Sequence, residues 1–209
     1  MNSQSISVIL AMPHYWLIGS TPMSGVRLQD LLARTNTDFI SIANAQIFSD
    51  EAEKTPLAEL TEVLIPKKQI LCVSTSGEEH EAPVKRLYNF QQRDQSSVAL
   101  MVDNYLIEGL AHLPKTATSV AYSLYRDCGL FFPLTQATVR SGSSRRFKFP
   151  FLLVNSEHLR AAGLSKATDV AADKPQSVSA HSDTRPVAAA AYQDSVEASG
   201  DTIAESVTA

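Results

Sequence analysis

The sequence predicts a mainly β protein: a small strand-rich unit present twice, at residues 5–74 and 97–163, each copy with one short helix. A polar linker at 75–96 and a disordered acidic tail at 164–209 complete the expectation. Three observations carry it. The chain aligns with itself at a shift of 90 residues; each copy opens with β-branched apolar runs broken by two-residue turns; and the composition turns to Ala, Ser, Thr, Val and Asp from Leu164 onward.

The self-alignment runs without a gap from SVILAMPHYWLIG, beginning at Ser7, to SVALMVDNYLIEG, beginning at Ser97, and Ser7/Ser97, Val8/Val98, Leu10/Leu100, Tyr15/Tyr105 and Gly19/Gly109 are identical. Two inserted residues then move the shift to 92, which pairs Leu32 with Leu124, Arg34 with Arg126, Phe39 with Phe131, Ala45 with Ala137 and Ser49 with Ser141. A last block at a shift of 81 sets Lys67 against Lys148, Leu71 against Leu152 and Val73 against Val154. Such periodicity marks a duplicated supersecondary unit.

Each element follows from local chemistry. Ser5 to Met12 and Ser97 to Val102 are apolar, β-branched strands, ProHis at 13–14 and AspAsn at 103–104 are turn dipeptides, and Tyr15 to Ser20 and Tyr105 to Leu110 return as second strands. Leu28, Leu31 and Leu32 stand at i, i+3 and i+4 behind Ser24 as an N-cap, so a short helix follows, and Val120, Ala121 and Leu124 repeat its apolar face. Residues 39–48 and 131–139 alternate as third strands; Leu64 to Val73 and Phe147 to Val154 read as closing strands. Pro133 and Pro150 lack an amide donor and belong at an edge, a bulge or a strand start. Residues 156–162 add either a fifth strand or a helical turn ending at Gly163. So small a sheet leaves open edges unless it curls or pairs, which points to two small barrels or one merged sandwich. The tail holds one aromatic residue, Tyr192, and cannot bury enough apolar surface to order itself.

GVRLQDLL at 25–32, followed by DFISIANAQI at 38–47, and LFFPLTQATV at 130–139 together resemble a bacterial family known only as a domain of unknown function. The units of that family are similar to Sm-like or SH3-like small barrels. They join an Arg-Leu-Ser-Asp-Leu helix start to a Phe-Ile-Pro-Leu-Thr-Asp-Ala strand. The first copy keeps Arg27, Leu28 and Asp30 with Ser41 at the proline position; the second keeps Pro133, Leu134 and Thr135 without the Arg and Asp. The resemblance spans most of residues 5–160 and implies a fold, with no activity, substrate or cofactor attached.

Charge is distributed unevenly. The chain carries net −4, made of −3 over residues 1–98, +3 over 99–163 and −4 over 164–209. A protein held to nucleic acid mainly by phosphate contacts is basic over a whole domain, and this chain is not. No apolar run reaches the length of a membrane helix, and no Lys or Arg precedes the first apolar stretch as a signal peptide requires, so the expected compartment is the cytoplasm and no membrane partner is expected. Cys72 and Cys128 lack CxxC spacing and read as small buried apolar residues.

Patterns of catalysis and cofactor binding are missing: GxGxxG, the P-loop, HExxH, CxxC and GxSxG do not occur. No enzyme activity, cofactor or metal is expected. GluGluHisGlu at 78–81 is the one histidine–carboxylate cluster and reads as a solvated linker face. The basic segment RSGSSRRFKF, 140–149, offers Arg140, Arg145, Arg146 and Lys148 beside Phe147 and Phe149, a combination able to hold a single nucleic-acid strand by phosphate contact and base stacking. The simpler reading is a basic turn whose phenylalanines enter the core. Tyr15, Trp16 and Tyr105 follow the turns and are expected in the core. The function expected is a non-catalytic protein-interaction or scaffold module that binds a protein partner or itself through sheet edges. The alternative is an Sm-like single-stranded RNA binder using residues 140–149, and a sensor with a small ligand between the barrels is a third reading.

Overall fold

The computed structural model describes residues 4–23, 25–50, 55–75, 93–114, 119, 122–124, 129–141 and 146–165. Ser24, Val120, Ala121, Cys128, Arg145, the 78–81 cluster, most of the expected linker and the tail beyond Ser165 lie outside them.

The protein is mainly β. Its strands are β1 (Gln4–Met12), β2 (Tyr15–Met23), β3 (Phe39–Ser49), β4 (Ala58–Pro66), β5 (Cys72–Thr75), β6 (Arg93–Val102), β7 (Tyr105–Pro114), β8 (Phe131–Arg140), β9 (Arg146–Asn155) and β10 (Leu159–Leu164). One helix, α1 (Leu28–Ala33), precedes β3, and a helical turn at 122–124 precedes β8. All ten strands lie in one antiparallel sheet ordered β10-β6-β7-β8-β9-β5-β1-β2-β3-β4. The ladder does not close: among the described residues β4 and β10 each have one neighbour.

The order fifth, first, second, third, fourth strand occurs in both halves of this sheet. Matched rungs give the correspondence: Ala11 faces Trp16 as Met101 faces Leu106, and Ile40 faces Ile65 as Phe132 faces Val154. Through the first three strands the rungs fall at positions aligned by the shifts of 90 and 92. The third block is corrected to a shift of 89. A closing strand over Leu64 to Val73 does not form; β4 ends at Pro66, a 3-10 turn spans Lys67–Gln69, and β5 begins at Cys72. Its counterpart is a 3-10 turn at Ser156–His158 leading into β10, so the residues left between strand and helix supply both in succession.

The helix start also differs from expectation. Arg27 is the N-cap residue and makes no side-chain cap bond, so α1 is held by burial of Leu28 and Leu32 rather than by a cap.

Glycine recurs where the strands bend. Gly19 faces Asn44 and Ala45 across β2 and β3, and Gly109 faces Gln136 and Ala137 across β7 and β8, two residues against one. Asn44 and Gln136 both take φ 51, the left-handed conformation of a bulge residue. These bulges fold each half of the sheet over its own core. A Cβ on Gly19 would collide with Ile42 Cγ2 and lie 2.9 Å from the Ala43 carbonyl. Pro150 stands beside the unpaired rung opposite Gln136, where no amide donor is required.

Two cores result. Val8, Leu10, Leu17, Leu28, Leu32, Ile42 and Ile70 fill the first, together with Phe131 and Leu153 of the other half. Leu100, Val102, Ile107, Leu134 and Val139 fill the second, with Ala11, Trp16, Phe48, Leu71 and Cys72 of the first half. Each half thus lends side chains to its neighbour's core.

Gly19→Ala is expected to cost about 1–3 kcal/mol of stability by overpacking, and Gly109→Ala less, since its Cβ would sit 3.2 Å from Ala137 Cα. Urea denaturation measures both; a Gly19→Ala chain as stable as the parent contradicts the bulge as the point of closest strand approach.

Candidate functional site

The basic segment is divided by the alternation of β9. Arg146 and Lys148 point to solvent while Phe147 and Phe149 are buried between them. Arg140, directly opposite Arg146, is tied to Glu108, with its Nη2 donating to Oε2 at 2.7 Å. Arg145 lies outside the described residues. Among the described residues of the segment, Arg146 and Lys148 are the two exposed cations on β9.

Lys67, grouped by sequence with the cations, is instead an internal support. Buried to 6% exposure, it donates through Nζ to the carbonyls of Leu31 (2.9 Å) and Arg34 (2.8 Å) and to Thr37 Oγ1 (3.0 Å), satisfying the end of α1. Burial and then the nearby Arg34 charge lower its pKa, against Asp38, which raises it. Its counterpart Ser156 ties down the matching loop through the carbonyls of Gly129 and Leu130.

The aromatic side chains meet where the halves join. Trp16 lies 4.9 Å from Phe147, 6.0 Å and nearly parallel to Phe149, and 5.7 Å edge-on to Tyr105, between ring centroids. Its indole N–H donates to Asp50 Oδ1 at 3.3 Å. The Tyr105 hydroxyl is buried beside Asp50 without a hydrogen bond of good geometry; burial, then the Asp50 charge, raises its pKa. Tyr15, aligned with Tyr105, departs from expectation and is exposed.

Beside this cluster β5 pairs with β9, Cys72 facing Val154 and Val73 facing Leu153. Asn155 closes the end of the ladder. Its backbone N–H donates to the Leu71 carbonyl (3.0 Å), its Nδ2 to the Ile70 carbonyl (2.9 Å), and its Oδ1 accepts from the Glu157 N–H (3.0 Å). Ser74 Oγ donates to the Phe151 carbonyl (2.7 Å), and Gln29 Nε2 from α1 to the Phe131 carbonyl (2.7 Å). His158 Nε2 and the Lys68 carbonyl stand 2.7 Å apart across the same seam. The sequence singles out none of Asn155, Ser74 or Gln29; Asn155 opens the polar run NSEH after FLLV and looks there like the start of a surface turn.

The outer strands are the other feature open to a partner. On the β4 side Phe39, Leu60 and Leu64 are exposed; on the β10 side Met101, Leu106 and Leu164 are. Among the described residues no three His, Cys, Asp or Glu side chains group as metal ligands, and no helix is long and apolar enough to cross a membrane. No protein-family model, curated protein or solved structure matches the chain.

Cys72 reports on the junction. Burial pushes its thiol up to about 12, with the Ala11 backbone bond opposing, so the reactive thiolate is scarce at neutral pH. In a Cys128→Ala background, Cys72 is expected to stay unlabelled by a disulfide reagent in the native state and to react once urea unfolds the chain. Asn155→Ala, which strands the Ile70 carbonyl, is expected to speed native labelling by about tenfold or more. Prompt labelling of the parent contradicts a closed junction.

Proposed function

We propose that this chain is a non-catalytic cytoplasmic interaction or scaffold module of bacterial type, which recognises protein through its free sheet edges. The observation that carries the reading is the pair of open edges with exposed apolar side chains beside them. An unpaired strand offers a row of backbone donors and acceptors, and adjacent apolar side chains supply specificity. We read the two halves as tandem small barrels of Sm-like or SH3-like form; the recurring strand order and the 3-10 turn before each fifth strand support this.

RNA binding is the second reading, drawn from Arg146 and Lys148 on the solvent face of β9. Burial of Phe147 and Phe149 removes base stacking from it, and Arg140 is engaged by Glu108.

Affinity capture with the full chain, with and without nuclease, tests the assignment. A discrete nuclease-resistant protein partner, lost when Leu64→Lys blocks the β4 edge, is the expected result. Co-purified RNA that nuclease removes, and that Arg145→Glu with Arg146→Glu abolishes, overturns it in favour of a nucleic-acid binder.

A further inference from the structure

The junction between the halves is a template for a junction between molecules. It joins the fourth strand of one half, β9, to the fifth strand of the other, β5. The strands left unpaired at the ends of the sheet are the remaining fourth and fifth strands, β4 and β10. We propose that a second copy of this chain occupies each edge, β4 of one molecule pairing antiparallel with β10 of the next in the register of the internal seam. The inference rests on the interaction-module reading above and names its partner.

Side chains support this at both ends. Phe131 and Leu153, which the first half buries to 1% and 0% exposure, have as counterparts Phe39 at 52% and Leu64 at 63%. Phe149 and Tyr105, covered by Trp16, correspond to the exposed Leu60 and Tyr15. On the opposite edge the buried Ala11 and Trp16 correspond to the exposed Met101 and Leu106. Most of the apolar groups that the seam covers inside the molecule thus have exposed apolar counterparts at its ends; Leu71 and Phe48 are the exceptions, with Arg160 and Arg140 in their places. Copying the rungs sets Ala161 against Ile65 and Ala162 against Leu64, and places Leu106 on Leu60 where Trp16 lies on Phe149.

Charge favours the same polarity. The edge strands themselves carry it: β4 has Glu59 and Glu62 and no cation, and β10 has Arg160 and no acid, so head-to-tail pairing sets opposite signs on facing strands. The outer junction is weaker than the inner one. Pro66 stands for Asn155 and has no N–H to give, and Gly163 stands for Ser74 and has no hydroxyl. Assembly is therefore reversible and concentration-dependent. Because the contact is heterologous, it closes into a ring or continues as a filament.

The test is the mass of the full-length chain by light scattering over a range of concentration and salt. Multiples of 22.7 kDa that fall with dilution and with added salt are expected. Leu64→Lys blocks only the β4 end and Leu106→Lys only the β10 end; both side chains are exposed, and circular dichroism checks that both chains stay folded. Each alone is expected to be a monomer, while the mixture forms a one-to-one dimer through its two intact ends. Folded variants that do not dimerise when mixed, or a parent that stays monomeric up to about 1 mM, overturn the proposal. A monomeric parent that still captures an edge-dependent protein sinks self-assembly alone; one that captures none sinks the interaction reading too.

Discussion

Two backbone rungs between β5 and β9, closed by Asn155 and flanked by Trp16, hold the halves of this protein together. So short a ladder carries little energy of its own, since a hydrogen bond exchanged with water contributes only about 0.5–1.5 kcal/mol net. The apolar groups beside it add more. Trp16 meets three aromatic rings of the other half, and each such pair contributes about 0.5–1.5 kcal/mol beyond its buried area. Phe131 and Leu153 are buried in the first core, while Leu71 and Cys72 are buried in the second. Because each core needs side chains from the other half, separating the halves would open both.

The curvature that makes this exchange work begins in two glycines. Gly19 and Gly109 let the second and third strands approach closely at a bulge, and the left-handed Asn44 and Gln136 turn the third strand across the core. The fourth strand is then delivered to the outside of each half. In one place it meets β5; in the other it has no strand partner among the described residues. Trp16 packs edge-on against Tyr105, which is buried, while Tyr15, the residue aligned with it, is exposed.

Much of the fold was legible because hairpins and short helices are written locally. Turn dipeptides at 13–14 and 103–104 and the leucine spacing at 28–32 pointed to their elements directly, whereas the bulges at Gly19 and Gly109 were not read from the matched glycines. The closing strand of the second copy, Phe147 to Val154, was legible and lies within β9, but in the first copy the fourth and fifth strands were merged, because the apolar pairing of Leu71 with Leu152 and Val73 with Val154 has no local signal to reject it. Only the partners across the sheet show that Val73 belongs to a fifth strand and Val154 to a fourth. The same misplacement matched Lys67 with Lys148, one an internal support for α1 and the other a surface cation. The seam itself was invisible for a related reason: Asn155, Ser74 and Gln29 act through carbonyls 85, 77 and 102 residues away, a separation that periodicity does not reach.

Native-state hydrogen exchange at the Asn155 amide tests the single-sheet account most directly, because that N–H bonds across the seam to Leu71. Protection equal to that of the Leu10 and Leu100 amides, which lie in the two cores, is the predicted result and means that the seam opens only with global unfolding. Exchange at Asn155 much faster than at both core amides would contradict it, since the halves would then be parting while each kept its own core.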